Sequence, residues 1–343
     1  MKKILLTGSQ GYIGTIMAHK LLAIGYDVIG IDTGFYADEN LNQSNIKDYH
    51  LIKKDIRYLS AQDLDLGVDA CIHLAALSND PLGNLNKQIT YDINHLASVN
   101  LAKKLKSLGC KRFIFASSCS LYGQGEGNQL TEESPANPQT AYGEAKILAE
   151  NDIKLLADDS FSPIFMRNAT AFGFSPRMRF DIVVNNLVGY AETENEIKIL
   201  GDGTPYRPLV HIQDICDAMI AVLDAPQSII HNQAFNVGDN SENYQVKDIA
   251  NKVKEFYPNC SISIKQKQAN DTRDYHVSFD KLNKQLNYKC NWTLADGIEE
   301  LRAIYQSTEL STEKFCGNSF NRISKIKALI EARTIDTALN FQS

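Results

Sequence analysis

Residues 3–14 read "KILLTGSQGYIG": a short apolar run, three glycines spaced G-x-x-G-x-x-G, and the opening of an amphipathic stretch. No other part of the chain restricts the fold as much. A strand that turns directly into a helix needs Gly8 for the tight turn, Gly11 to keep the backbone open and Gly14 to let the helix lie close to the strand. The free N–H groups at such a helix start suit a diphosphate, with Gln10, Tyr12 and Ile13 completing the loop. A glycine turn that binds nothing fits the same letters, so the context matters. "DVIGID" (27–32) reads as a second strand ending in Asp32. A carboxylate there accepts hydrogen bonds from an adenosine ribose and repels a 2′-phosphate. The next basic residue in sequence is Lys47, so NAD is favoured over NADP. "DIR" (55–57) lies where a third strand could end. Asp55 there is a candidate for the adenine amino group, an ordinary loop acid being nearly as good a reading, and Ile56 stands beside it.

Further apolar runs at "ACIHLAA" (70–76), "RFIFASS" (112–118) and "PIFMRNA" (163–169) alternate with helical patterns at 12–24, 88–108 and 141–157. Continuous apolar strands separated by helices indicate a parallel sheet covered on both faces. The fold class is therefore α/β, a doubly wound parallel sheet of Rossmann type with a smaller C-terminal region that binds substrate. Residues 1–170 form the dinucleotide-binding domain, with a return at 205–240 that includes the strand "AFNVGD" (234–239); 171–204 and 241–343 form the substrate region. The formal net charge of −6 argues against a nucleic-acid partner. No run reaches the ~18 apolar residues of a membrane helix. The start lacks the long apolar core of a secretion signal. The seven cysteines and seven histidines show neither C-x-x-C pairs nor metal-ligand spacing. A cytoplasmic protein with reduced thiols and no metal is expected.

"YGEAK" (142–146) places Tyr142 and Lys146 four residues apart, on one face of a helix. A phenol titrates near pH ~10 in water, but a neighbouring ammonium and a cationic nicotinamide both favour the phenolate. The pair thus suits general acid/base work. The strand ending in "ASSCS" (116–120) finishes at the carboxyl edge of the sheet, where ligands of such folds bind. Ser118 there can orient a reacting hydroxyl toward Tyr142. An exposed helix face would explain the pair alone; it does not explain the ordered set of glycine loop, acid, strand-end serines and Tyr/Lys pair.

With these residues in place, the chain resembles the extended short-chain dehydrogenase/reductase family, in its NAD-dependent nucleotide-sugar epimerase/dehydratase branch, over about residues 1–300. The resemblance rests on "TGSQGYIG", "DIR", "HLAA" (73–76), Asn94 in "YDINH", "SSCSLYG" (117–123), "AYGEAK" (141–146), "GDGTPYRPLVHIQDI" (201–215) and "DTRDY" (271–275). It implies Tyr142 as base, Lys146 as its partner and holder of the nicotinamide ribose, and Ser118 as hydroxyl orienter with Ser120 as second candidate. It implies that Leu74, Ala75 and Ala76 line the cofactor and that Asn94 supports the active-site end of its helix. Asn186, Leu187, Arg207 and Arg273 are the matching contacts for the diphosphate or nucleoside, arginine being suited by its bidentate fork. Ser78, Asn79 and Asp80 lie in "LSNDPLG" (77–83), which differs from the best-known 4-epimerases; they are expected to face the sugar without an assigned role, Asp80 being a candidate second proton-transfer group. A homodimer paired through the helices at 88–108 and 141–157 is implied as well.

Two departures from that pattern matter. Cys119 and Ser120 stand where 4,6-dehydratases carry Asp and Glu, and Thr170 replaces an Asn in "RNAT" (167–170). The implied activity is epimerisation of a nucleotide-diphosphate sugar through a transient ketone, with C4 the expected carbon. A ketoreductase or dehydrogenase that releases its product is the alternative, and a non-catalytic NAD-sensing regulator a distant third. The tail 315–343 lies outside the resemblance; its spacing suggests an amphipathic helix near 322–332 packed on the body.

Overall fold

The computed structural model describes residues 2–37, 40–42, 48–78, 86–124, 129–265 and 274–342. Strands β1 (Lys3–Thr7), β2 (Asp27–Asp32), β3 (His50–Lys53), β4 (Ala70–His73), β5 (Arg112–Ser118) and β6 (Ser162–Asn168) form a parallel sheet. β7 (Thr170–Phe172), β8 (Glu196–Leu200) and β9 (Tyr206–His211) lie outside it, and β10 (Ala234–Val237) returns to its edge. The seven strands run in the order β10-β6-β5-β4-β1-β2-β3. The chain winds one way from β1 to β3 and the other way from β4, so the sheet has its switch point between β1 and β4. A crevice opens there at the carboxyl ends of the strands. The run 163–169, read as all apolar but for its end, becomes β6, buried along its whole length because helices cover both faces of the sheet.

Helix α1 (Tyr12–Ala23) follows β1 after a four-residue loop. The predicted helix at 88–108 is divided: α2 (Lys87–Tyr91) leads into a π-helical turn over Asp92–Ala97, then α3 (Ser98–Ser107). The wider turn carries Asn94, whose Oδ1 accepts the Leu77 N–H (2.8 Å) while its Nδ2 donates to the Leu77 carbonyl (3.0 Å). One buried amide thus satisfies both backbone groups of the residue just before Ser78. α4 (Ala141–Lys154) is capped by Thr140, whose side chain accepts the Gly143 N–H at 3.2 Å. The cap fixes the helix start two residues before Tyr142.

The smaller region contains a three-stranded sheet in the order β11-β9-β7, with β11 (Asn243–Gln245), and a parallel pair of β8 with β12 (Ser261–Lys265). Helices α5 (Val183–Glu194), α7 (Val246–Phe256) and α8 (Leu294–Ser307) pack around them, while α6 (Ile212–Asp224) crosses back onto α1. The tail forms α9 (Arg322–Glu331), as its spacing predicts. No helix among the described residues is long and apolar enough to cross a membrane.

Candidate active site

The carboxyl ends of β1, β2, β4 and β5 border a cleft of about 690 Å³ that continues into the smaller region. At its floor Gly8 adopts φ +70°, and a Cβ there would stand 2.8 Å from the Ala75 nitrogen; a Cβ on Gly14 would meet the Gly8 carbonyl at 1.9 Å. Both positions therefore require glycine, and Gly11 and Ile13 line the opening left between them. This backbone cradle at the start of α1 fits a dinucleotide diphosphate. Tyr12 also borders the cleft, but its hydroxyl donates to the Gly173 carbonyl (2.6 Å) and accepts from Asn185 (3.2 Å). It ties the loop to the smaller region.

Asp32 accepts the N–H of Gln10 (3.0 Å) and of Gly34 (2.8 Å). Gln10 thus spends its N–H on Asp32. Burial pushes the Asp32 pKa up, while these two N–H groups and the charges of Arg322 and Arg177 pull it back. The sequence near Asp32 lacks basic residues; the fold supplies them from distant segments. Asp55 and Ile56 line the same end, but both Asp55 oxygens already accept from Arg57, one from the main-chain N–H (2.8 Å) and the other from Nε (3.0 Å) and a terminal nitrogen (2.8 Å).

Leu74, Ala75 and Ala76 form the opposite wall. Their backbone is held from beneath by a chain of side chains. Ser98 Oγ donates to the Asn94 carbonyl (2.9 Å), so it accepts from His73 Nε2 (2.8 Å), and Thr7 donates to His73 Nδ1 (2.6 Å) while accepting the Ala75 N–H (3.2 Å). Burial and the Lys146 ammonium depress the His73 pKa to about 3, so this imidazole is a neutral strut.

Ser118, Ser120, Tyr142 and Lys146 face the middle of the cleft. Ser120 Oγ donates to Ser118 Oγ at 2.9 Å. Lys146 donates to the Ala116 carbonyl at 2.6 Å, and its nitrogen stands 4.6 Å from the Phe115 ring centroid and 5.7 Å from that of Tyr142. Burial pulls its pKa down to about 7, against the charge of Glu150. Cys119 differs from its neighbours: it is buried, its thiol donates to the Arg167 carbonyl (3.1 Å), and burial pushes its pKa far up.

In the smaller region Asn186 and Leu187 of α5, Arg207 of β9 and Thr170 line the cleft, and Ser78 borders it from the β4 side. Arg207 is buried and donates to the Tyr206 carbonyl at 2.7 Å. Asn79, Asp80 and Arg273 lie outside the described residues. Sequence reasoning missed Tyr36, Arg179, Asp181 and Arg322, which line the cleft too. Arg179 pairs with Asp181 at 2.9 Å and donates to Ser78 at 3.4 Å. The one signal was the cluster of arginine and proline in "FGFSPRMRF".

Residues 4–238 match the model of the NAD dependent epimerase/dehydratase family. The chain belongs to that family. Its cofactor is NAD, and the cradle of glycines described above fits it. Within the family the chain is similar to the UDP-glucose 4-epimerase of Cyamopsis tetragonoloba, 26% identical over 332 residues that cover 87% of this chain and 92% of that one. It is similar to the same degree, 26% over 326 residues (91% and 72% of the two chains), to UDP-glucuronic acid decarboxylase 1 of Arabidopsis thaliana. In fold it resembles TunA, described as an NAD dependent NDP-hexosamine 5,6-dehydratase of tunicamycin biosynthesis, with a TM-score of 0.79 at 23% identity, covering 90% of this chain and 98% of TunA. The sequence relatives thus include an epimerase and a decarboxylase, and the same fold is found in a dehydratase, so the scaffold does not by itself decide the reaction.

Proposed function

We propose that the protein epimerises a nucleotide-diphosphate sugar at C4 through a transient ketone. The observation that carries this reading is the convergence of Tyr142, Lys146, Ser118 and Ser120 on the cleft that also holds the glycine cradle. Tyr142 takes the proton of a sugar hydroxyl and later returns it. The Ser118–Ser120 pair orients that hydroxyl, and Lys146 holds its charge beside the Tyr142 ring. NAD, when bound, supplies the taking up and giving back of a hydride. Arg207, Asn186 and Leu187 hold the diphosphate and nucleoside on the other side of the cleft.

Elimination of water demands an acid and a base near the sugar's outer carbons. Cys119 is buried with its thiol turned to a backbone carbonyl, and Ser120 has only a hydroxyl to offer. This favours epimerisation over the dehydration assigned to TunA. Incubation with an accepted sugar nucleotide in D₂O tests it: the expected product keeps its mass apart from exchangeable hydroxyls. A product lighter by one water and deuterated at C5 overturns the epimerase reading; one lighter by carbon dioxide moves it to decarboxylation. Steady consumption of NADH with a keto-sugar, far beyond the amount of enzyme, moves it to a ketoreductase.

The same proposal includes a homodimer. Leu96 in the π-helical turn, Leu148 on α4 and Leu155 at its C-terminal cap are 49, 36 and 83% exposed, where two copies can bury them. Sedimentation equilibrium at micromolar concentration should give twice the chain mass, and Leu96→Asp should shift it to the chain mass. A wild-type monomer would remove this part of the reading.

A further inference from the structure

The C-terminal segment lies beyond the span matched by the family model, which ends at residue 238. Its helix α9 nonetheless places Arg322 in the wall of the cleft, together with Asp32, Tyr36, Arg179 and Asp181. Arg322 is only 3% exposed. Its guanidinium lies over the Tyr36 ring, 4.0 Å from the centroid, and donates to the Arg177 carbonyl at 3.3 Å. Among the described residues it forms no ion pair; the nearby carboxylate of Asp181 is taken by Arg179 at 2.9 Å. Arg177 and Arg179 are also buried, at 6 and 7% exposure. Among the described residues, the charges of Arg177 and Arg322 act on Asp32, and those of Arg179 and Arg322 act on Asp181.

We propose that Arg322 is a cofactor-contacting residue at the adenosine end of the site, its guanidinium binding the adenosine-side phosphate of the dinucleotide's diphosphate, so that the C-terminal segment forms part of the NAD site.

A buried guanidinium that feels carboxylates only at a distance, with no ion pair among the described residues, is unfavourable unless something else supplies a direct counter-charge. Burial and the neighbouring Arg179 charge show the same tension by lowering the Arg322 pKa to about 10, against the pull of Tyr36, Asp181 and Asp32. A diphosphate supplies the missing negative charge, and its oxygens match the planar fork of arginine. The location favours the cofactor over the sugar nucleotide: Asp32 ends β2, where the adenosine half of a dinucleotide lies in a doubly wound sheet. The stack on Tyr36 fixes the plane of the guanidinium in advance.

The segment is anchored to the cleft at both ends. Asp181 accepts the main-chain N–H of Arg322 at the start of α9. Near the C-terminus Arg57 donates to the carbonyls of Ala338 (2.8 Å) and Leu339 (3.3 Å), and Phe341 packs on Phe35 with ring centroids 5.3 Å apart. Asp55, which grips Arg57 through both oxygens, thereby supports the tail at the adenosine end.

The inference rests on the reading of the cleft as an NAD site, and the test separates the two. Full-length wild type, Arg322→Met and Arg322→Lys, each freed of bound nucleotide, are titrated with NADH by fluorescence and with UDP by calorimetry, and their thermal unfolding is followed without ligand. For Arg322→Met the expected result is NADH binding weakened about 10- to 100-fold, the loss of hydrogen bonds to a charged group. Its ligand-free unfolding midpoint should be unchanged or raised, because a buried charge without a partner has been removed. Arg322→Lys, which keeps the charge but loses the fork, should weaken NADH binding by less than Arg322→Met. Should Arg322→Met fail to fold, Arg322→Lys decides, and NADH affinity equal to wild type overturns the proposal. It is also overturned if Arg322→Met binds NADH within twofold of wild type, whether or not its unfolding midpoint falls. Loss of UDP affinity with NADH affinity intact assigns the residue to the substrate and overturns the cofactor assignment. Wild type that binds no NADH removes the NAD reading itself and the inference with it.

Discussion

Tyr142→Phe should lower turnover ~10²- to 10⁴-fold, the usual range for loss of a positioned general acid or base. The substitution removes one oxygen and keeps the ring, which stands 5.7 Å from the Lys146 nitrogen and packs at the start of α4. The helix cap on Thr140 is untouched, so NADH affinity and unfolding midpoint should match wild type. The measurement is turnover on the sugar nucleotide that the protein accepts from a panel, with product NMR. Turnover within tenfold of wild type, with NADH binding retained, would sink the assignment of Tyr142 as the proton-transfer group. Lys146 is the reason the tyrosine is the residue to test: only 3% exposed, it is held by the Ala116 carbonyl at 2.6 Å with its nitrogen beside the Tyr142 ring in the cleft wall.

Glu150→Ala should cost about 3–5 kcal/mol of stability, the range for removing one partner of a buried ion pair. Glu150 sits one turn past Lys146 on α4, and its carboxylate meets the Arg167 guanidinium of β6 in a bidentate contact at 2.7–3.2 Å. Both side chains are buried, at 5 and 10% exposure. Ser117 donates to the same carboxylate at 2.5 Å, and Arg167 also reaches the Tyr122 hydroxyl and the Glu132 carbonyl, each at 3.0 Å. Alanine leaves that guanidinium buried without its counter-charge. Urea unfolding should show a lower midpoint at an unchanged slope. The double variant Glu150→Leu, Arg167→Met should recover most of the loss, because a packed apolar pair replaces the ionic one. A single-variant loss under about 1 kcal/mol contradicts the account. Glu150 also opposes the burial that lowers the Lys146 pKa, so its removal should lower that pKa further as well as cost stability.

What the sequence determined is what lies within one element or one turn. "KILLTGSQGYIG" specifies a strand, a turn and a helix start because only glycine fits at Gly8 and Gly14, where a Cβ would enter backbone atoms. Tyr142 and Lys146 share a helix face because of their spacing, and "AFNVGD" could be read as a returning strand from its apolar pattern. Those readings needed no knowledge of distant contacts. The π-helical turn at Asp92–Ala97 was not legible, because it exists to bring Asn94 onto the backbone of Leu77, a partner in another element. Basic residues looked absent around Asp32 because sequence distance was the only measure; Arg177 and Arg322 arrive from segments more than a hundred residues away. The tail read as packing because its apolar face satisfies a helix pattern, which says nothing about the residue at its first turn. Tertiary structure decided which charges share the cleft: burial makes each uncompensated guanidinium or carboxylate costly, so the fold collects partners from wherever the chain can bring them.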